Sequence, residues 1–185
     1  MSGRIHQIQL AYSQEEDRLL LRVTTSDSRE YRLWLTRRFV RRLWPVLDKA
    51  MMADTLSVGA RDPGVQREVR DYLRREAVAK GDFATPFQEE VERMKPLGEE
   101  PILACVARLI PQGTGNHQLS LHPRTGNGLE INLDRGMMHS FCQLLWDAIR
   151  KTDWDLMPSR GPVQEGPDLG GADDDGPTGP IRHLH

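Results

Sequence analysis

Residues 19–47 read LLLRVTTSDSREYRLWLTRRFVRRLWPVL. The order is an apolar strand, a polar turn, a second apolar strand, a capping residue and an amphipathic helix. The order returns 98 positions later, at residues 117–145, which read HQLSLHPRTGNGLEINLDRGMMHSFCQLL. Matched apolar positions at this offset are Leu33 with Ile131, Leu35 with Leu133, Val40 with Met138, Leu43 with Phe141 and Leu47 with Leu145. The repetition predicts an α+β domain of two pseudo-symmetric antiparallel β-β-(β)-α repeats.

The first hairpin is predicted from alternating side chains. Apolar residues recur at every second position in residues 18–23 and again in residues 30–35, the pattern of half-buried strands. A turn centred on Asp27 would place Leu21 opposite Leu33, which keeps the apolar face continuous across both strands. The segment from Ile5 to Tyr12 is predicted to add another strand.

The second repeat has its own turn and cap signals. Gly126-Asn127-Gly128 favours a hairpin between residues 118–122 and 129–133. The nearly continuous apolar run at residues 102–110 predicts a buried strand. Thr36 and Asp134 each stand before an amphipathic helix, where a side-chain oxygen accepts a hydrogen bond from a free amide of the first turn.

Composition divides the chain into one α+β domain at residues 1–156 and a disordered tail at residues 157–185. The predicted parts of the domain are repeat one at 1–53, a helical linker at 62–95 and repeat two at 101–156. In the linker, Thr85 and Gln88 match a capping box, and that helix is expected to end near Lys95. In the tail, 11 of 29 residues are Gly or Pro, a composition that buries too little apolar area to offset the entropy of ordering.

Charge and hydropathy exclude some protein classes. No apolar run approaches the roughly 20 residues that span a bilayer, so no membrane association is predicted. Met1 to Leu10 lacks the features of a secretory signal, and the two cysteines are far apart, which together predict a cytoplasmic protein with reduced thiols. Residues 1–80 hold 16 Lys and Arg against 11 Asp and Glu, whereas residues 81–185 hold 9 against 16. The basic half favours an acidic partner, or its arginines simply decorate solvated faces.

The candidate binding surface combines a strand face with a helix face. On the first hairpin the side chains pointing away from the core include Trp34 between arginines, an arrangement that can stack nucleobases. On the following helix, arginines crowd the N-terminal turns, where positive charge opposes the helix dipole unless an anion is present. The predicted binding residues are Leu20, Arg22, Arg32, Trp34, Arg38, Arg41 and Arg42.

Other interpretations of this surface stay open. A middle helix could cover Trp34, or two copies of the chain could pair through it. The anion beside the helix arginines could be external, or it could come from Glu68, Asp71 or the acidic tail of the same chain.

No catalytic constellation is recognisable in the sequence. It contains no nucleophile elbow, no phosphate-binding Gly loop before a helix, no HExxH pair and no Cys-x-x-Cys. His139 and Cys142 share one helix at a spacing that suits two metal ligands, but packing is the simpler role for Cys142. We therefore predict no catalytic residue, no metal site and no cofactor.

The segments EDRLLLRV at residues 16–23 and EYRLWLTRR at residues 30–38 resemble a group of small uncharacterised bacterial proteins. The likeness covers roughly the first 50 residues. It implies a bacterial, specifically proteobacterial, origin and brings no activity or site residues. The strand–strand–helix order of the two repeats is also similar to the PUR and Whirly single-strand-binding folds, although those use four or more strands per repeat where this chain offers about three.

Two functions follow as hypotheses. The first is a non-catalytic interaction module that forms a homodimer or a small complex with a protein partner. The alternative is a single-stranded nucleic-acid-binding protein, with Trp34 stacking on bases and the arginines contacting phosphates. The salt dependence of binding separates the two, because only nucleic-acid binding releases counterions.

Overall fold

The structure is a computed structural model that describes residues 4–57, 62–80, 87–88, 91–113 and 115–156. Its elements, in chain order, are β1 (Ile5–Ser13), β2 (Arg18–Thr25), β3 (Glu30–Thr36), α1 (Arg37–Ser57), α2 (Pro63–Lys80), β4 (Ile102–Leu103), β5 (Val106–Pro111), β6 (His117–His122), β7 (Leu129–Leu133) and α3 (Arg135–Ile149). Three helices and two sheets in these ranges confirm the α+β class. The tail predicted at 157–185 lies outside the described residues.

The strands form a four-stranded sheet in the order β1-β2-β3-β4 and a three-stranded sheet in the order β5-β6-β7. In the first sheet Leu21 lies opposite Leu33, as the hairpin pattern predicts. In the second sheet Leu119 lies opposite Ile131. Each member of the second pair stands 98 positions after its counterpart in the first pair, so the two hairpins share one register. A slip of one residue would turn either apolar set toward solvent, which explains why the register is fixed.

Both predicted helix caps are present. The Oγ1 of Thr36 accepts a hydrogen bond from the backbone N–H of Phe39 at 3.2 Å, at the start of α1. The Oδ1 of Asp134 accepts from the backbone N–H of Met137 at 2.8 Å, at the start of α3. A single polar residue therefore ends the strand and begins the helix in each half of the domain.

One hydrophobic core joins the sheets and helices. The inward leucines of both hairpins belong to the same buried cluster as the apolar stripes of α1 and α3. The helices also reach across the molecule, since α3 contacts β1 of the first sheet and α1 contacts β5 of the second. Each fully buried Leu contributes about 1.5–3 kcal/mol by leaving water, so this shared core stabilises both halves together.

The structure departs from the sequence-based expectation at β5, which was predicted to be a buried strand. Residues 106–111 lie at the edge of their sheet, and five of the six are exposed. An edge strand has a neighbour on one side only, so apolar residues on its outer face meet solvent. A continuous run of apolar residues in the sequence does not distinguish a buried strand from an exposed edge strand of this kind.

The helix expected to end near Lys95 is also absent from residues 91–95, which the structure places in bends and extended chain. Met94 instead bridges to the chain beside β3: its N–H donates to Ser28 O at 2.9 Å, and the N–H of Glu30 donates to Met94 O at 2.8 Å. These bonds satisfy backbone groups that an open strand edge would leave unpaired.

After α3, the chain returns to the first hairpin through Trp154. Its indole is 4% exposed, and its Nε1–H donates to Asp17 Oδ1 at 2.6 Å. The hydroxyl of Tyr12 donates to the same oxygen at 3.0 Å, and the Tyr12 and Trp154 rings meet edge to face at 6.0 Å. Asp17 has a φ of 46°, so the tight turn aims its carboxylate at both donors. This contact ties the end of the described chain to its beginning.

Candidate functional site

A row of apolar side chains crosses the outer face of the first sheet. Leu20 lies beside Ala11 on one neighbouring strand and Trp34 on the other, and Trp34 is aligned with Leu103. None of the four is buried. The residues immediately before and after each of these four along its strand point into the core, because successive side chains of a strand alternate between the two faces of the sheet. The sequence-predicted pair of Leu20 and Trp34 is thus brought together on the solvent side.

Apolar side chains are also exposed on β5, in the second sheet. On β5, Leu109 lies opposite the buried Leu119, so Val106 and Ile110 face the other way. Leu103 is 41% exposed, Val106 39% and Ile110 45%. The outer apolar surface, as we call it, consists of Leu20, Trp34, Leu103, Val106 and Ile110.

Sequence reasoning missed the last three members of this surface, because it assigned the whole run at 102–110 to the core. Arg108 was the available signal. It lies opposite Ser120 between Val106 and Ile110, and a charged residue inside an apolar run indicates that one face of the strand meets solvent.

Arg22, a predicted binding residue, is engaged inside the molecule. Its Nε lies 2.8 Å from Glu30 Oε1, and Glu30 is 6% exposed. Its guanidinium stands over the Phe87 ring at 3.9 Å, a cation–π arrangement. The neighbouring Arg32 has Nε and Nη2 buried without a hydrogen-bond partner among the described residues. Arg22 therefore serves the fold, and Arg32 is largely shielded from an external phosphate.

The helix arginines form a second, separate group. The exposed cations of α1 are Arg37, Arg38, Arg41, Arg42 and Lys49, which we name the basic face. Within the ranges that the structure describes, none of them forms an ion pair. Their spacing places them opposite the buried stripe of Val40, Leu43 and Leu47.

The predicted surface therefore divides in two. The core lies between the inner face of the first sheet and the buried stripe of α1, so Trp34 and the basic face point away from it in different directions. The main contacts of α2 are with α3 and α1. Phe87 and Gln88 of the linker approach the outer face of the first sheet: Phe87 stacks on Arg22, and Gln88 N–H donates to Gln7 Oε1 at 3.3 Å.

A groove of about 290 Å³ opens beside the basic face. The residues lining it are Val40, Arg41, Trp44, Pro45, Ile149, Asp155 and Leu156. Trp44 packs against Trp146 of α3 with ring centroids 5.4 Å apart, which closes one side. The groove thus joins α1 to the last described residues of the chain.

The two thiols differ sharply in environment. Cys105 is exposed next to the outer apolar surface, whereas Cys142 is buried in α3. Burial, and secondarily the Asp48 carboxylate, raise the pKa of the Cys142 thiol to about 12. Because the thiolate is the nucleophile, Cys142 is inert at neutral pH.

Within the described residues no three His, Cys, Asp or Glu side chains lie together as metal ligands would, so His139 and Cys142 are not part of such a group. In the same ranges no helix has the length and apolar character to cross a bilayer.

Comparison with known proteins returns no match: no protein-family model, no curated protein and no solved structure resembles the chain. The function is therefore argued from the two surfaces alone.

Proposed function

We propose that this protein is a non-catalytic interaction module that self-associates through its outer apolar surface. The observation that carries the proposal is a set of large apolar side chains on the solvent side of the sheets: Leu20, Trp34 and Leu103 align across β2, β3 and β4, and Val106 and Ile110 are exposed on β5. Single exposed apolar residues are ordinary on soluble proteins, but contiguous ones rimmed by polar groups mark interaction sites.

The surroundings of the surface suit a partner of the same kind. Gln9, Arg22 and Arg32 lie alongside the apolar row on the same face of the first sheet. A second copy of the chain would cover the row with an equivalent apolar row, and a twofold arrangement pairs the same residues on both sides. A stable dimer of this type buries about 800 Å² on each partner.

The same proposal includes a duplicated origin for the domain. In support, paired residues in the two hairpins share the 98-position offset, and each half ends in a capped helix that reaches the other half's sheet. The outer faces of the two repeats have different side chains. Where the first carries the pair Leu20 and Trp34, the second carries the polar pair Gln118 and Asn132 at the same offset.

Sedimentation velocity on the full chain tests self-association. Leu103→Glu places a charge in the centre of the surface without touching the core, because the side chain is 41% exposed. We expect the wild type to sediment as a dimer and Leu103→Glu as a monomer, with a dissociation constant raised at least ~100-fold, the equivalent of about 2.7 kcal/mol.

The matched control is Met52→Glu on α1, which is 44% exposed and outside the surface. It should sediment like the wild type. A monomeric wild type at ~100 μM protein, or equal loss of dimer in both variants, contradicts the proposal.

Nucleic-acid binding is kept as a second candidate because of the basic face, whose arginines have no ion pair within the described residues. Strand phosphates are bidentate partners for guanidinium groups, and a helix lined with arginines follows a phosphate backbone. Trp34 does not share this face, so the base-stacking part of the sequence hypothesis has no support in the arrangement.

Fluorescence anisotropy with a single-stranded oligothymidylate tests the second candidate. Changing Arg38, Arg41 and Arg42 together to Gln should flatten the slope of log affinity against log salt by about 2, since each phosphate contact contributes about 0.7. Leu103→Glu should leave that slope unchanged. Absence of binding by the wild type at ~50 mM salt eliminates the candidate and leaves self-association untouched.

A further inference from the structure

We infer that the basic face of α1 is the docking site of the chain's own acidic segment, residues 157–185, through Asp173-Asp174-Asp175. The inference is independent of self-association, which uses the outer apolar surface. It commits to this chain's own segment as the occupant, and the nucleic acid of the second candidate becomes its competitor.

The first support is the concentration of positive charge at the N-terminus of α1. Four arginines lie within its first six residues, where the helix dipole already presents partial positive charge. The first turn contains no acidic residue. Such crowding is unfavourable unless an anion neutralises it.

The second support is that the nearby acids on the neighbouring helix do not supply this anion. Glu68 and Asp71 of α2 are exposed, and in the part of the chain that the structure describes neither forms an ion pair with the basic face. Of the three internal sources that the sequence offers, the acidic segment is the one that remains.

The third support is charge complementarity. Residues 157–185 contain five acidic residues against two arginines, and three of the five are consecutive. Three consecutive carboxylates concentrate negative charge in one short run, and guanidinium groups form strong charge-assisted hydrogen bonds with carboxylates.

The fourth support is the point at which the segment leaves the described fold. Leu156 and Asp155 line the same groove as Arg41, so the segment starts next to the basic face. Seventeen residues lead from Leu156 to Asp173, and a chain of that length can span up to about 56 Å. The 21-residue helix α1 is about 30 Å long, so this length of chain is sufficient to bring the acidic run to its arginines.

Zero-length carbodiimide crosslinking of the full chain, followed by peptide mapping, tests the contact. The reagent joins a lysine amine to a carboxylate that touches it. Lys49 reports on the basic face, and Lys151 is the control, because it is exposed and lies only six residues before the segment. Docking predicts that Asp173–Asp175 couple mainly to Lys49 within the monomer band.

Random encounter predicts the reverse, since Lys151 is much closer along the chain. Changing Arg38, Arg41 and Arg42 to Gln should lower the Lys49 crosslink about tenfold and leave the Lys151 crosslink unchanged. Salt near 1 M, where the screening length is about 3 Å, should have the same effect. Preferential coupling to Lys151, or coupling to Lys49 found only between two chains, overturns the inference.

A binding measurement supplies an independent readout. With the oligothymidylate probe at ~50 mM salt, Asp173→Asn, Asp174→Asn and Asp175→Asn combined should tighten binding about tenfold, because the internal competitor is removed. Glu99→Gln, which removes an acid outside the segment, is the control and should not change the affinity. Equal affinities of the triple variant and the wild type contradict the competition. If the wild type does not bind the probe at all, the second candidate fails and the crosslinking result alone decides the inference.

Discussion

The contact of Trp154 with Asp17 gives the sharpest stability prediction, because it joins the two ends of the domain through one hydrogen bond. Trp154→Phe removes the indole N–H that donates at 2.6 Å to the Asp17 carboxylate. A hydrogen bond to a charged group contributes about 1.5–3 kcal/mol. The smaller ring also leaves a gap at a site that is 4% exposed, which adds about 1 kcal/mol.

The total loss should therefore be about 3 kcal/mol in the free energy of unfolding. For a domain of this size that corresponds to a fall of about 9 °C in Tm, at about 3 °C per kcal/mol. Asp17 is exposed, so its carboxylate stays hydrated after the substitution and adds no further cost. Thermal unfolding followed by circular dichroism measures the shift.

Asp17→Asn is the matched control, because Asn tolerates the φ of 46° and keeps an acceptor oxygen. It should cost only about 1 kcal/mol, since the bond loses its charge but not its geometry. In the double variant the two losses should fall short of their sum, as expected for contacting residues. A Tm for Trp154→Phe within about 1 °C of the wild type would refute the reasoning.

Three further predictions concern caps, thiols and a glycine. Thr36→Ala and Asp134→Ala should each lower the free energy of unfolding in denaturant titrations by about 1 kcal/mol, because each removes a helix cap; equal stability to wild type would show that the cap bonds do not matter. Cys105 should react with iodoacetamide at pH 7 while Cys142, whose pKa is raised to about 12, reacts only after unfolding, and mass spectrometry of native protein with Cys142 modified would contradict its burial. Gly128→Ala should destabilise the domain by more than about 2 kcal/mol, since a Cβ would lie 2.2 Å from the Leu121 carbonyl oxygen, and an unchanged midpoint in urea would show that the β6–β7 turn is free to move.

The hairpins and caps could be predicted from sequence because their signals are local. Alternation sets the faces of β2 and β3, and Asp134 needs only its own side chain and the next amide to cap α3. The structure confirms both, together with the α+β class.

Features that depend on distant neighbours escaped sequence reasoning. β5 has the composition of a core strand, and only its place at the sheet edge exposes Val106 and Ile110. Trp154 and Asp17 are 137 positions apart in the sequence, and no local sequence pattern predicts a hydrogen bond between them. The predicted binding site falls on two separate surfaces for the same reason. Trp34 and Arg38 are close in sequence, but Trp34 lies on the outer face of a strand and Arg38 on the exposed face of a helix that packs on the same core.

Alkylation of Cys105 as a function of protein concentration tests self-association most directly. Cys105 is exposed next to the outer apolar surface, and the buried Cys142 does not contribute at neutral pH. The account predicts that the alkylation rate falls as the wild-type concentration rises from ~1 μM to ~1 mM and that it stays constant for Leu103→Glu. A wild-type rate independent of concentration across that range would contradict the account.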